Sequence, residues 1–326
     1  MNRPFLLKPA AKDYLWGGSR LNDDFGKGIP ISPLAETWEC STHPDGQSTI
    51  SDTGEPLSEF LSRYPETLGT HPLQLTGGKS ELPVLIKLID AEEKLSVQVH
   101  PDDDYAMKHE HSLGKTELWY ILAAKKNAEL VYGFRQSMSR ELAEQALREN
   151  RIEECLNHVP VHKDEVFHVE PGTVHAIGAG ILLAEIQESS NITYRIYDYG
   201  RTDRWGKKRE LKVEKALDVA NLSAVGSPRQ PMRVLRYYGG RAEELLYRCR
   251  YFQVERIMLN TEIHRELAAF RTDRNSFHVL LCTEGCGVMF GDEVMIPFFR
   301  GDCIFVPAES LLLRLHGKAQ LLNVSC

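Results

Sequence analysis

Apolar and polar positions alternate with a period of two through most of this chain, the pattern of strands that bury one face. Glu129-Leu130-Val131-Tyr132-Gly133-Phe134 and Val166-Phe167-His168-Val169 read as strands, and Gly180 to Tyr199 reads as two strands around a Ser189-Ser190-Asn191 turn. Residues 5 to 50 mix short runs with glycine and proline. Within them, Tyr14-Leu15-Trp16-Gly17-Gly18 and Leu34 to Ser41 read as strands joined by loops. Leu82 to Asp90 is nearly continuous in apolar residues apart from Lys87. A lysine is costly to bury unpaired, so Lys87 either stands at an edge, snorkelling to water, or faces a polar cavity.

Helical spacing appears in three places. Leu57, Phe60, Leu61 and Leu68 lie between Pro56 and a stop at Gly69, Ser139 to Leu156 is amphipathic, and Leu211 to Ala220 is a third candidate. Tyr105 to His111 is polar and reads as a loop or short helix. Ser223 to Pro231 has the composition of a linker, which divides the chain into residues 1–225 and 226–326. The second unit alternates again at Phe252–Ile257, Phe277–Leu281, Gly287–Phe290, Gly301–Ala308 and Ala319–Val324. Its Gly301-Asp302 to Pro307 segment repeats the flavour of Asp164-Glu165 to Pro171, a hint of internal duplication. No histidine follows Pro307, so the second unit is expected to bind no metal. Short strands at regular spacing favour a sandwich or barrel. The expected fold class is therefore mainly β with a few packing helices.

With 326 residues, 42% of them hydrophobic and 26% charged, the chain has the composition of an ordinary globular protein large enough for two domains. Met1-Asn2-Arg3-Pro4 opens no signal pattern, and no apolar run reaches the roughly 20 residues that span a bilayer. A cytoplasmic location without membrane contact is the expectation. Seven scattered cysteines, with no C-x-x-C pair, suggest free thiols in a reducing compartment. A net charge of -7 argues against a nucleic-acid partner but allows an anionic small molecule held by local cations. A monomer or weak homo-oligomer is expected.

The chemistry gathers around Ser96-Val97-Gln98-Val99-His100-Pro101-Asp102. On a strand, Gln98 and His100 share a face while the valines turn away. In Gly114-Lys115-Thr116-Glu117-Leu118-Trp119, alternation places Lys115, Glu117 and Trp119 together, and a Pro171-Gly172 turn leads to His175. Gln98, His100, Glu117 and His175 supply two imidazoles, a carboxylate and a carboxamide, a set suited to one divalent first-row ion, zinc by default. Any single histidine of the twelve is more often a satisfied core or surface residue, which is the reading kept for His109, His111, His158, His162 and His168. Trp16, Trp38 and Glu36 are second-rank pocket candidates. Glu185, in an apolar strand, is either a proton shuttle or half of a structural pair with Arg195.

The order Q-x-H, K-x-E, P-G-x-x-H resembles the metal-site pattern of cupin barrels. Leu34-Ala35-Glu36-Thr37-Trp38-Glu39, Val97 to Asp102, Gly114-Lys115-Thr116-Glu117, Pro171-Gly172-Thr173-Val174-His175-Ala176 and Asn191-Ile192-Thr193-Tyr194-Arg195 together resemble the type I mannose-6-phosphate isomerases, in the short form without the large helical insertion. The resemblance covers essentially the whole chain. It implies two cupin-type jelly-roll barrels, a catalytic one and a C-terminal one without a metal, and zinc on Gln98, His100, Glu117 and His175. It also implies mannose 6-phosphate and fructose 6-phosphate as substrates. The family's active-site arginine falls on Arg195. The residues themselves, set against such a reaction, make Lys115 and Lys87 further candidates for anion contact and Glu185, on the strand just after His175, the first candidate for moving the proton. Where longer members carry Lys-Pro-Glu, this chain has Lys115-Thr116-Glu117, with lysine and glutamate kept. Two rivals share the fold: a non-haem iron oxygenase and a non-catalytic sugar-phosphate sensor.

Overall fold

The computed structural model describes residues 3–202, 206–226, 228, 230, 233–264, 266–292 and 294–326. Its strands form three antiparallel sheets among these residues. One has six strands in the order Val166–Val169, Glu117–Ala124, Ile181–Glu188, Val84–Ala91, Glu36–Cys40 and Ala10–Lys12. A second has five, in the order Tyr194–Tyr197, Val97–Val99, His175–Ala176, Glu129–Phe134 and Leu156–Pro160. Their inner faces share one core, in which Ile89, Trp119, Ile121 and Leu183 of the first meet Leu130, Val159 and Ile177 of the second.

The outer face of the six-stranded sheet, with Ile86, Leu88, Leu118, Tyr120, Leu182 and Ala184, packs on Val254, Val279, Phe305 and Leu322 of a ten-stranded third sheet. Val84–Ala91 and Ile181–Glu188 are consequently buried at every position. A strand covered on both faces reads as an unbroken apolar run, which accounts for Leu82 to Asp90. Phe5–Lys8 joins the third sheet as well, pairing with Cys303–Val306 on one side and Thr49–Ile50 on the other. The two similar segments are similarly placed: Val166–Val169 follows the Asp164-Glu165 turn and pairs with Glu117–Ala124, and Cys303–Val306 follows Gly301-Asp302 and pairs with His278–Gly291.

Several local expectations change. Tyr14 to Gly18 is a turn rather than a strand, closed by Gly17 N–H donating to Tyr14 O at 2.9 Å. A Cβ at Gly17 would lie 2.5 Å from Ala35 Cα, so only glycine lets the turn approach that strand. The helix expected from 56 to 69 divides into Leu57–Arg63 and a tight turn at Pro65–Leu68, since Pro65 cannot continue the hydrogen-bond ladder. Arg140–Arg148 is helical, with Ser139 accepting from Leu142 N at 3.3 Å, and the rest of its predicted span forms Ile152–Cys155. Asp103–Glu110 is a helix capped by Asp102, whose side chain accepts from Tyr105 N at 2.8 Å. The helix expected over 211–220 forms at Val213–Val219. The segments at 277–281 and 287–290 merge into one strand, His278–Gly291, with a bulge near Cys282. Leu235–Tyr238, Arg241–Arg248 and Val294–Phe299 are further strands. Within the linker, Ser227, Arg229 and Pro231 lie outside the described residues. All seven cysteines are free thiols. No helix among the described residues is long and apolar enough to cross a membrane.

Candidate metal centre

Register assembles the site. On the five-stranded sheet, Gln98 lies directly opposite His175 on one neighbouring strand and Arg195 on the other. Residues directly opposite one another share a face, so these three side chains form a row facing the core. On the six-stranded sheet, Glu185 sits between Lys87 and Trp119, Lys87 is also opposite Trp38, and Glu117 is opposite Gln187. His100 follows the Val97–Val99 strand at its end.

His100, Glu117 and His175 converge, with one ligand atom from each lying within 4.8 Å of the others. Glu117 Oε1 is 3.4 Å from His100 Nε2, Glu117 Oε2 is 3.6 Å from His175 Nε2, and Gln98 Nε2 is 3.4 Å from His175 Nε2. A half-turn of the Gln98 amide presents its oxygen there instead. Four donors about 2.1 Å from a tetrahedral zinc would be about 3.4 Å apart, so the spacing fits such an ion. The Nδ1 atoms of His100 and His175 meet the carbonyls of Ile192 and Thr173, each at 2.8 Å. With Nδ1–H donating, both Nε2 lone pairs face Glu117, the orientation that metal-binding histidines take from such partners.

The charges suit the same purpose. Burial holds the His100 pKa down to about 3, with Lys115 adding to the effect and Glu117 opposing it, and burial also lowers His175. For Glu117, burial favours the neutral acid, but Lys115, His100 and His175 outweigh it and hold the pKa well below the ordinary value. Neutral imidazoles and an ionised carboxylate are the protonation states a divalent ion requires. Glu117 is fully buried, and neither oxygen has a hydrogen bond of ordinary geometry, although Lys115 Nζ stands 2.5 Å from Oε1. A buried carboxylate this poorly satisfied is costly on its own and is what a cation would stabilise.

Beside this centre lies a cavity of about 270 Å³, near the lower bound of roughly 300 Å³ for small-molecule sites. Gln98, Lys115, Lys87, Glu185 and Arg195 all line it, whereas His100, Glu117 and His175 stand behind its wall. Lys87, only 4% exposed, faces the cavity rather than an edge. Its ammonium lies 2.9 Å from Glu185 Oε1 and 5.1 Å from the centre of the Trp38 ring. Burial opposes that charge, but Glu185 and Glu36 prevail and raise the Lys87 pKa. Trp119 Nε1–H donates to Glu185 Oε2 at 2.9 Å. Glu185 therefore pairs with Lys87 and not with Arg195, because the register places lysine opposite it. Arg195 instead donates to Ser96 Oγ at 3.1 Å and to the Glu210 carbonyl at 3.0 Å.

Trp16 and Glu36 line the cavity, while Trp38 lies beneath it and donates Nε1–H to Glu36 at 2.8 Å. His168 is spent elsewhere, its Nε2 lying 2.5 Å from Tyr247 OH. Tyr14, Asn191 and Arg209 also line the cavity without having been singled out. Asn191 belongs to a segment quoted for its resemblance. Tyr14 and Arg209 sit on irregular chain, where no periodicity marks a face.

Residues 5–130 match the family model of the phosphomannose isomerase type I catalytic domain. Mannose-6-phosphate isomerase ManA of Bacillus subtilis (strain 168) is 37% identical over 325 residues, 97% of each chain. The mannose-6-phosphate isomerase of Streptococcus mutans serotype c is 40% identical over 225 residues, 68% of this chain and 69% of that one. The crystal structure of the mannose 6-phosphate isomerase from Bacillus subtilis superposes with a TM-score of 0.88 at 32% identity, covering 99% of both chains. A putative mannosephosphate isomerase from Archaeoglobus fulgidus shares the fold, with a TM-score of 0.76 at 22% identity. Sequence identity sustained over nearly the full length, on the same fold, shows that this chain belongs to the type I phosphomannose isomerase family.

Proposed function

We propose that the protein interconverts mannose 6-phosphate and fructose 6-phosphate through an enediol, with one zinc ion held by Gln98, His100, Glu117 and His175. The observation that carries this reading is the fully buried Glu117 carboxylate, ion-paired with Lys115 but without a hydrogen bond of ordinary geometry, between two neutral imidazoles at the wall of a cavity that also presents Glu185 and Arg195.

The reaction moves a proton between C1 and C2 and needs a base at those carbons, an electrophile at the carbonyl oxygen and a cationic hold on the phosphate. A divalent ion at this site supplies Lewis-acid polarisation of the sugar oxygens. Glu185 takes the proton from one carbon and returns it to the other. Lys87 and Trp119 hold one oxygen each, so the carboxylate keeps its direction during turnover. Lys115, beside Glu117 on the cavity wall, contacts the sugar oxygens nearest the ligands. Arg195, fixed by Ser96 and the Glu210 carbonyl, meets oxyanion charge with its planar fork. In this reading residues 226–326, completed by the strands Phe5–Lys8 and Thr49–Ile50, form a second unit that covers the outer face of the catalytic sheet.

Conversion of mannose 6-phosphate to fructose 6-phosphate by the purified protein, with and without a chelator, tests the proposal. Turnover that disappears with the chelator and returns with zinc supports it. Binding without conversion would indicate a sensor, and oxygen consumption with iron would indicate an oxygenase.

A further inference from the structure

Gly114, Lys115 and Thr116 lead into the strand that begins at Glu117, and they are buried without belonging to a strand themselves. Their N–H groups therefore need acceptors from elsewhere. Lys115 N donates to Pro101 O at 3.1 Å. The N–H groups on either side of it go to carboxylates: Gly114 N donates to Asp103 Oδ1 at 2.8 Å, and Thr116 N donates to Glu188 Oε1 at 2.7 Å. Glu188 N returns a bond to Thr116 O at 3.1 Å. Two acids thus stand in for a strand partner immediately before Glu117.

The second oxygens of the two acids differ. Asp103 Oδ2 accepts from Tyr251 OH at 2.7 Å, a contact that crosses from the second unit. Glu188 is 1% exposed, and its Oε2 accepts no hydrogen bond of ordinary geometry. The groups facing this carboxyl are Asp103 on the helix, Thr116, and Cys249 and Tyr251 of the second unit. Arg250, beside the Tyr251 ring, is exposed to water. With Glu188 out of water, two facing carboxylates are not both readily ionised. A proton on one of them turns two acceptors into a donor and an acceptor. It belongs on Glu188, since Asp103 already has two donors and Glu188 has an oxygen with none. Burial and Asp103 accordingly raise the Glu188 pKa to about 7, against the hydroxyl and N–H of Thr116.

We propose that Glu188 and Asp103 share one proton and, braced by Tyr251 from the second unit, form a clamp that positions Lys115 and Glu117 to hold the metal. The proposal rests on the metal site proposed above. With the proton in place, Glu188 Oε2–H donates to Asp103, and each acid keeps its N–H group. When the proton leaves, the two charges repel, and the displacement passes through Gly114 and Thr116 to Glu117. Glu188, Asp103 and Tyr251 are positioning residues, and none of them lines the cavity. The second unit thereby acts on the metal centre as well as covering the sheet.

The test uses the full-length protein and Glu188→Gln, whose amide donates to Asp103 at any pH. The infrared difference between the two should show one protonated carboxyl at about pH 6 that is lost by about pH 8.5. Zinc affinity is measured for both across the same range by competition with a chelator. The ratio of dissociation constants, wild type over Glu188→Gln, should rise about 10-fold between about pH 6 and 8.5, a size typical of residues that support metal ligands. Taking the ratio cancels the pH dependence of the chelator. Glu188→Ala, which has no bridge, should bind zinc more weakly than Glu188→Gln at every pH. Tyr251→Phe removes a donor from ionised Asp103, so the shared proton is held more tightly and the midpoint moves to higher pH. A merely structural contact would leave the midpoint in place. A Glu188 carboxyl already ionised at about pH 6, a ratio constant across the range, or an unmoved midpoint in Tyr251→Phe would overturn the proposal. Should the wild type bind no zinc at any pH, the metal reading falls, and the infrared titration still decides whether the proton is shared.

Discussion

Removing the charge of Lys87 isolates what the pair at the cavity wall contributes. Lys87 and Glu185 face each other directly across adjacent strands, their side chains 5% exposed each and their charged atoms 2.9 Å apart. Lys87→Met preserves length and apolar contact but leaves the Glu185 carboxylate with only the Trp119 indole as partner. Breaking one side of a buried pair costs about 3–5 kcal/mol. Contact with the cavity places this case near the lower end, about 3 kcal/mol. Replacing both members by apolar residues, Lys87→Met with Glu185→Leu, should return stability to within about 1 kcal/mol of wild type, because the stranded charge is gone. The coupling from the double-mutant cycle is then about 2 kcal/mol or more. Turnover should not follow stability: without the proton carrier proposed at Glu185, the double variant should lose at least about 100-fold in kcat. Urea titration of the metal-free proteins followed by circular dichroism gives the first quantity, and zinc-loaded kinetics the second. A Lys87→Met cost below about 1 kcal/mol, or a stable double variant with normal kcat, would refute the reasoning.

Glu117→Gln removes the charge of the proposed ligand while keeping its shape, and zinc affinity by competition with a chelator should fall by more than the about 10- to 100-fold seen when only an outer partner is lost; unchanged affinity would remove Glu117 from the proposed ligand set. At Gly114 a Cβ would lie 2.5 Å from Asp102 C and Asp103 N, so Gly114→Ala must displace the segment carrying Lys115 and Glu117, at about 1–3 kcal/mol of stability and with weaker zinc binding; a wild-type urea midpoint contradicts this. The metal-free protein should lose stability as the pH falls below about 6.5. There the unfolded chain takes up protons that folded His100, with its pKa near 3, and folded His175 refuse, at up to about 1.4 kcal/mol per pH unit for each histidine. Glu117, held below its ordinary value, adds to the loss below about pH 4.5. Glu188, raised to about 7 by burial and Asp103, acts oppositely, as do Glu39 and Glu255, raised by burial, but burial also lowers His43, His168 and His278, so the lowered histidines outnumber the raised carboxyls. Urea midpoints from pH 7.5 to 5 check the sign, which His100→Asn should weaken.

Alternation carried much of the fold because the sheets are antiparallel and one face of each is shared. It placed Glu117 with Trp119 and marked Glu185 on its strand, and the unbroken run at 84–91 reflects a sheet covered on both sides. Alternation could not supply register between strands distant in sequence. Local pattern therefore left an Arg195 partner open for Glu185, whereas the pairing of Ile181–Glu188 with Val84–Ala91 delivers Lys87. The same limit hid the insertion of Phe5–Lys8 beside Cys303–Val306, almost three hundred residues away. Gly285 and Gly287 made the His278–Gly291 strand look like two, although its partner strand holds it continuous. Arg209 was hidden for another reason. It lies in a run of charges on irregular chain, and its contact with Asp198 is long-range information that local pattern lacks.

Four side chains from three β segments are proposed to hold one ion on which turnover depends. Titrating metal-free enzyme with zinc while following mannose 6-phosphate conversion tests it most directly. Activity should rise linearly from zero and break at one equivalent per chain. Full activity before any zinc is added, or a break at two equivalents, would contradict the claim.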